Sequence, residues 1–88
     1  MLFEWDENKN QLNKLKHDLD FEDAAAVFDD PERIETIDRR RDYKEIPYRT
    51  IGIVDHRILT VIYTIRDGRC RIISARRARQ DERKNYYL

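Results

Sequence analysis

Between Tyr48 and Ser74 the chain holds three β-rich runs punctuated by tight-turn signals, and no other stretch restricts its fold as strongly. Residues 48–54 follow Pro47 and read as a strand. Asp55-His56-Arg57 connects them to a longer run, 58–66, whose two apolar faces suit a central strand. Asp67-Gly68 is a strong hairpin signal, because both central positions of a type I′ turn need positive φ, and residues 69–74 form the partner strand. The stretch therefore predicts an antiparallel meander of three strands. A fourth is added if residues 34–38, which alternate but distinguish their faces poorly, form an edge strand before the polar loop at 39–45.

The flanks read as helical. Phe3-Glu4-Trp5 is long enough only for a first short strand or an apolar anchor, and Asp6 is an N-cap for a helix running to about His17. Trp5, Leu12, Leu15 and Leu19 are expected on its buried side. Asp20 caps a second helix in which Phe21, Ala24, Ala25 and Phe28 recur at helical spacing, and which stops before Pro31. Asp29 and Asp30 fall near the end of that helix, where negative charge opposes the dipole, so a role in the turn is expected of them. From Ala75 onward the composition is again helical. The fold class is α+β: two N-terminal helices, an antiparallel meander of three to four strands, and a C-terminal helix.

With 88 residues the chain can fill one core, so residues 1–88 are read as one domain. No apolar run approaches the roughly 20 residues of a membrane span, and Met1 to Asp6 has no signal-like character. A cytoplasmic protein without membrane contact is expected. Cys70 is the only cysteine and lies in a strand-like run, which suggests packing rather than chemistry.

Formal neutrality conceals a strong asymmetry. Up to Asp38 there are four basic residues (Lys9, Lys14, Lys16, Arg33) and twelve acidic ones, net −8, whereas the remainder holds fourteen basic and six acidic, net +8. Such halves either give the surface a basic face able to attract phosphate or acidic protein, or neutralise each other within the fold.

His17, His56 and Cys70 are the only soft ligands and have no metal-site spacing, so neither a metal nor any other cofactor is expected. Gly52 and Gly68 are the only glycines, which excludes a P-loop. Arginine remains. Arg49, Arg69 and Arg71 alternate with apolar residues on the meander, and Arg76, Arg79 and Arg83 would share one stripe of the final helix. Guanidinium groups so placed can bind phosphate bidentately or simply form a solvated face. Lys16-His17 closes the first helix, which suits the dipole. Histidine there could also exchange a proton with a ribose 2′-hydroxyl or a leaving 5′-oxygen. His56 sits in a hairpin loop and is expected to be solvated.

Over nearly its whole length the chain resembles the BrnT family of bacterial type II toxins. The resemblance is carried by Phe3-Glu4-Trp5-Asp6, Lys9, Asn13, Lys16-His17, Phe21-Glu22, Ala25, Val27-Phe28 and Asp30-Pro31. It continues with Arg49, Ile51-Gly52, the run from Arg71 through Ser74-Ala75-Arg76-Arg77-Ala78, and Glu82-Arg83. Two positions depart from the pattern: Asp18 follows His17 where Gly is usual, and Arg77 stands where Lys is frequent. Asp tolerates the left-handed conformation that a helix-ending Gly would adopt.

The resemblance implies a RelE-like fold and a ribonuclease that inhibits translation by metal-independent cleavage, with the ribose 2′-hydroxyl as nucleophile. It implies a BrnA-like antitoxin with a ribbon-helix-helix portion, so that DNA is touched only indirectly, through the antitoxin. On matched positions, phosphate stabilisation falls to Arg49, Arg71 and Arg76 and acid/base roles to Lys16 and His17. Arg79 and Arg83 are candidates for RNA binding, and Tyr86 and Tyr87 for base stacking. A non-catalytic module that binds only antitoxin or RNA is the alternative.

Overall fold

The computed structural model describes residues 1–38 and 46–88; the loop expected at 39–45 lies outside the described residues. The meander forms as β3 (Tyr48–Val54), β4 (Arg57–Arg66) and β5 (Arg69–Arg77), antiparallel throughout. The β4–β5 turn has Asp67 at φ 52° and Gly68 at φ 73°, the type I′ signature. The β3–β4 connection is equally tight: Asp55 (φ 48°) and His56 (φ 69°) both sit in the left-handed region, and Arg57 already belongs to β4. Asp and His tolerate that region better than most residues, so the turn forms without glycine.

β2 (Ile34–Ile37) pairs with β3 as an edge strand, as expected. On the other side β1 (Phe3–Trp5) is also a strand, parallel to β5 through Phe3–Cys70, Glu4–Arg71 and Trp5–Ile72. Among the described residues the sheet thus has five strands in the order β1-β5-β4-β3-β2 and is mixed rather than purely antiparallel.

Strand alternation separates the two faces. Leu59, Val61 and Tyr63 of β4 and Cys70, Ile72 and Ala75 of β5 point to one side, where Leu19, Phe21, Ala24 and Val27 complete the core. α1 (Glu7–His17) and α2 (Phe21–Ala24) lie on this side, and α2 tightens into a 3₁₀ turn, Ala25–Asp29, ahead of Pro31. An aromatic chain closes one end: Phe3 on Phe28 at 5.3 Å, Phe28 on Tyr63 at 5.0 Å and Tyr63 on Tyr48 at 5.5 Å. Gly52 is required by this packing, since a Cβ there would stand 2.7 Å from Val27 Cγ2.

The opposite face carries Arg49 and Thr60, and α3 (Gln80–Tyr87) covers it. Asp30 fastens that helix at its far end. Its side chain accepts from the Glu32 and Ile53 N–H groups, each at 2.9 Å, and from the Tyr86 hydroxyl at 2.6 Å. The acidic turn residue thus joins β3 to α3.

Three expectations need correction. β5 runs to Arg77, so Arg76 is a strand residue and the 76/79/83 helical stripe does not exist; Arg71 and Arg76 lie on the same strand. The pairing energy of a ladder against β4, which extends to Leu59–Arg77, prevails over the helical composition of 75–77. Leu12 and Leu15 are exposed, and α1 buries Asn10 and Asn13 in their stead. Nor does the second helix stay α-helical through Phe28.

Candidate active site

α1 is anchored by polar side chains that meet backbone groups. Its start is capped by the Asp6 carboxylate, which accepts from the Asn8 and Lys9 N–H groups at 2.8 and 3.3 Å. At its end Asp18 adopts the left-handed conformation (φ 56°, ψ 38°) in place of glycine, and its N–H donates to Lys14 O at 2.9 Å. Between them, Asn10 Oδ1 accepts from Phe21 N–H at 2.9 Å, and Asn13 donates to Leu19 O at 2.9 Å.

The decisive contact is Ala75 N–H to Asn13 Oδ1 at 3.2 Å. β1 pairs with β5 only as far as Ile72, so beyond it no strand among the described residues lies on this edge of β5, and Asn13 satisfies the exposed donor. The same bond sets the last turn of α1 beside the end of β5. We expect Asn13→Ala to lower stability by roughly 1–3 kcal/mol, the cost of leaving a buried N–H without a partner; thermal unfolding of the purified variant measures it.

β5 carries one irregularity where it passes α1. Ile62 pairs with Ser74 and Tyr63 with Ile72, leaving Ile73 as an extra residue, a bulge. As a result the consecutive residues Ile73 and Ser74 both face a cleft of about 450 Å³, together with Lys9, Leu12, Asn13, Lys16, His17, Arg76 and Arg79. Four residues singled out in the sequence, Lys16, His17, Arg76 and Arg79, therefore meet in one recess.

Beneath them lies a carboxylate that the sequence marked only as part of a matched motif. Glu82 is 4 % exposed and grips Arg76 with both oxygens, at 2.7 Å to Nη1 and 3.0 Å to Nη2. It also accepts from Thr60 Oγ1 at 3.1 Å and from the Arg79 N–H at 2.8 Å, and Arg49 Nη1 approaches to 3.7 Å. Burial alone would raise its pKa, but the Arg76 hydrogen bonds, the Arg79 N–H and the Arg76 charge prevail and pull it down to about 2. Glu82 is thus a fixed anion that orients Arg76 at the cleft and draws Arg49 up behind it. With Arg79 at the N-cap, Glu82 holds the third helical position, from which its carboxylate reaches back to the N-cap N–H.

His17 responds to the same cluster. Partial burial, then the positive charges of Lys16 and Arg76, hold its pKa below the usual 6.5. The shift favours the uncharged imidazole, the form able to accept a proton.

The other candidates lie elsewhere. Arg71 pairs with Glu4 across β5 and β1 at 3.7 Å, five residues along the strand from Arg76, on the order of 15 Å away. Tyr86 is committed to Asp30, which pushes its pKa up to about 12, and Tyr87 packs edge-on against it at 5.2 Å. Arg83 and Tyr87 line a separate groove along α3 with Ala78, Gln80, Lys84 and Leu88. Among the described residues no three His, Cys, Asp or Glu side chains are grouped to hold a metal ion, and no helix is long and apolar enough to cross a membrane.

Residues 5–82, most of the chain, match the family model described as "Ribonuclease toxin, BrnT, of type II toxin-antitoxin system". The chain belongs to the BrnT toxin family. No curated protein sequence matches it. BrnT membership makes the chain a type II ribonuclease toxin, with RNA as substrate and an antitoxin as protein partner. The matched span includes the whole cleft lining and ends on Glu82. In this BrnT chain the fold is α+β as expected, with one strand more than the meander and its edge supplied.

Proposed function

We propose that this toxin cleaves RNA in the α1–β5 cleft without a metal, by attack of a ribose 2′-hydroxyl on the adjoining phosphorus. The observation that carries the reading is the convergence of Lys16, His17, Arg76 and Arg79 on one recess. Neutral His17 takes the proton from the 2′-oxygen as it bonds to phosphorus, and Lys16 gives a proton to the 5′-oxygen as the P–O5′ bond breaks. The products are a 2′,3′-cyclic phosphate and a free 5′-hydroxyl. Arg79, whose side chain has no ion pair among the described residues, can fork onto the phosphate. Arg76, preset by Glu82, adds positive field where charge develops on the phosphoryl oxygens, and Arg49 supports it from behind. Arg83 and Tyr87, on the outer side of α3, would serve RNA approach rather than the reaction.

On this reading the chain is one cytoplasmic domain that arrests translation. A BrnA-like ribbon-helix-helix protein neutralises it, and the pair meets DNA only through that partner. The test is purified, antitoxin-free chain incubated with RNA in EDTA. Fragments ending in 2′,3′-cyclic phosphate support the scheme; linear 3′-phosphate or 3′-hydroxyl primary products, or no cleavage by folded protein, refute it. In vivo, expression of the chain alone should halt growth.

The pH dependence follows from His17. A base works only when unprotonated, so kcat/KM should climb roughly tenfold per pH unit below its pKa and level off above it. Because that pKa is depressed, the midpoint of the rise should lie below pH 6.5. A pH–rate profile checks it, and a rise extending well above pH 7 would assign the base to another group.

A further inference from the structure

α1 presents its surface the wrong way round for an ordinary amphipathic helix. Its buried residues are Asn10 and Asn13, while Leu12 is 66 % and Leu15 86 % exposed. Single exposed leucines are commonplace, but residues three apart on a helix are neighbours, so these two form one patch. At about 100° per residue, turning from the leucines leads first to Lys16 and Lys9 and then to Asn13. The cleft itself reaches Leu12, Lys9 and Lys16. Apolar stripe and basic cleft are therefore one continuous surface, and among the described residues neither Lys9 nor Lys16 has an ion-pair partner.

RNA accounts for the basic part only, since a phosphodiester backbone gains little from leucine methyl groups. A second copy of the chain fits poorly: antiparallel pairing through this stripe would set Lys9 and Lys16 of one copy against those of the other. We propose that this surface is where the antitoxin docks. The segment that binds carries apolar side chains to cover Leu12 and Leu15, and carboxylates to pair with Lys9 and Lys16 at the mouth of the cleft. Bound there, it would exclude RNA from the cleft, so recognition and inhibition would be one event. The inference rests on the chain's being a ribonuclease toxin that acts in this cleft.

The probe is the protein encoded by the reading frame adjoining the toxin gene, purified and titrated calorimetrically against wild type and Leu15→Asp. Leu15 lies outside the cleft lining and is the more exposed of the two, so its substitution should leave the melting temperature and RNA cleavage by the isolated chain unchanged. Its Kd for the probe should rise at least about tenfold, because apolar contact is lost and a negative charge faces carboxylates. Wild-type binding should also weaken steeply with salt. Unchanged affinity in Leu15→Asp overturns the docking surface and leaves the toxin reading standing. A wild-type chain that cleaves RNA but does not bind the probe refutes the antitoxin assignment, and the surface with it. A Leu15→Asp chain that alone falls from dimer to monomer would show the stripe to be a contact between copies, which also overturns the proposal.

Discussion

His17→Ala is expected to slow RNA cleavage by about 10²- to 10⁴-fold, the range that a positioned general base contributes, while the protein stays folded. Among the described residues the His17 side chain makes no hydrogen bond that the fold relies on, and α1 is held by Asp6, Asn10, Asn13 and the Asp18 cap. Arg79→Ala should cost roughly 10²-fold or more, the scale of losing one transition-state donor, and Arg79→Lys should recover part of it because lysine supplies charge without the planar fork. Arg71→Ala provides the control. Arg71 is engaged with Glu4 at the far end of β5, so its loss should leave the rate per folded molecule intact. Single-turnover cleavage, normalised to folded protein, distinguishes these outcomes. Full activity in His17→Ala, or a loss in Arg71→Ala matching that in Arg79→Ala, would move the reaction out of the α1–β5 cleft.

Glu82→Ala should destabilise the fold more than Asn13→Ala or any of the cleft substitutions. Removing one member of a buried ion pair strands the remaining charge, which costs about 3–5 kcal/mol, and in this cluster two guanidinium groups, a hydroxyl and the Arg79 N–H lose a shared acceptor. For a chain of this size, 1 kcal/mol corresponds to roughly 4–8 °C in Tm, so a fall of well over 10 °C is expected. Acid should reproduce the effect in the wild type. The folded pKa of Glu82 is about 2 against an ordinary 4.5, so between these values the unfolded chain binds the extra proton. Its stabilisation is therefore fully present above about pH 4.5 and is lost as pH falls toward 2. Glu82→Gln keeps the shape but has no carboxylate to titrate, and should lack this contribution to the acid limb. Chemical unfolding of both proteins from pH 6 to pH 2.5 measures the difference, and parallel curves would show that Glu82 does not carry the pH dependence. Where Gln preserves folding, a fall in cleavage beyond any loss of folded protein would show that Glu82 also positions Arg76.

Much of the architecture was legible because it depends on neighbours in the chain. The hairpin at Asp67-Gly68, the caps at Asp6 and Asp20, the left-handed Asp18 and the edge character of β2 each follow from a few adjacent residues whose backbone preferences act locally. Histidine beside lysine at the end of a helix, and arginines on strands, could likewise be singled out as chemistry in search of a place. What could not be read was which of them would meet. The reach of β5 to Arg77 is decided by pairing with β4, a partner across the sheet, and it moved Arg76 from the helix to the strand.

Local sequence thus determined the elements, their order and the residue types able to act on RNA. Tertiary structure decided the site. The Ile73 bulge brings consecutive residues of β5 to the cleft. The three-residue length of β1 leaves a free N–H at Ala75 that Asn13 satisfies, so α1 buries asparagines and exposes leucines. Glu82 selects Arg76, not Arg71, as the guanidinium held beside His17. Both of these last outcomes turn on satisfying a buried polar group with a partner from another element, and helix or strand periodicity carries no information about which partner that will be.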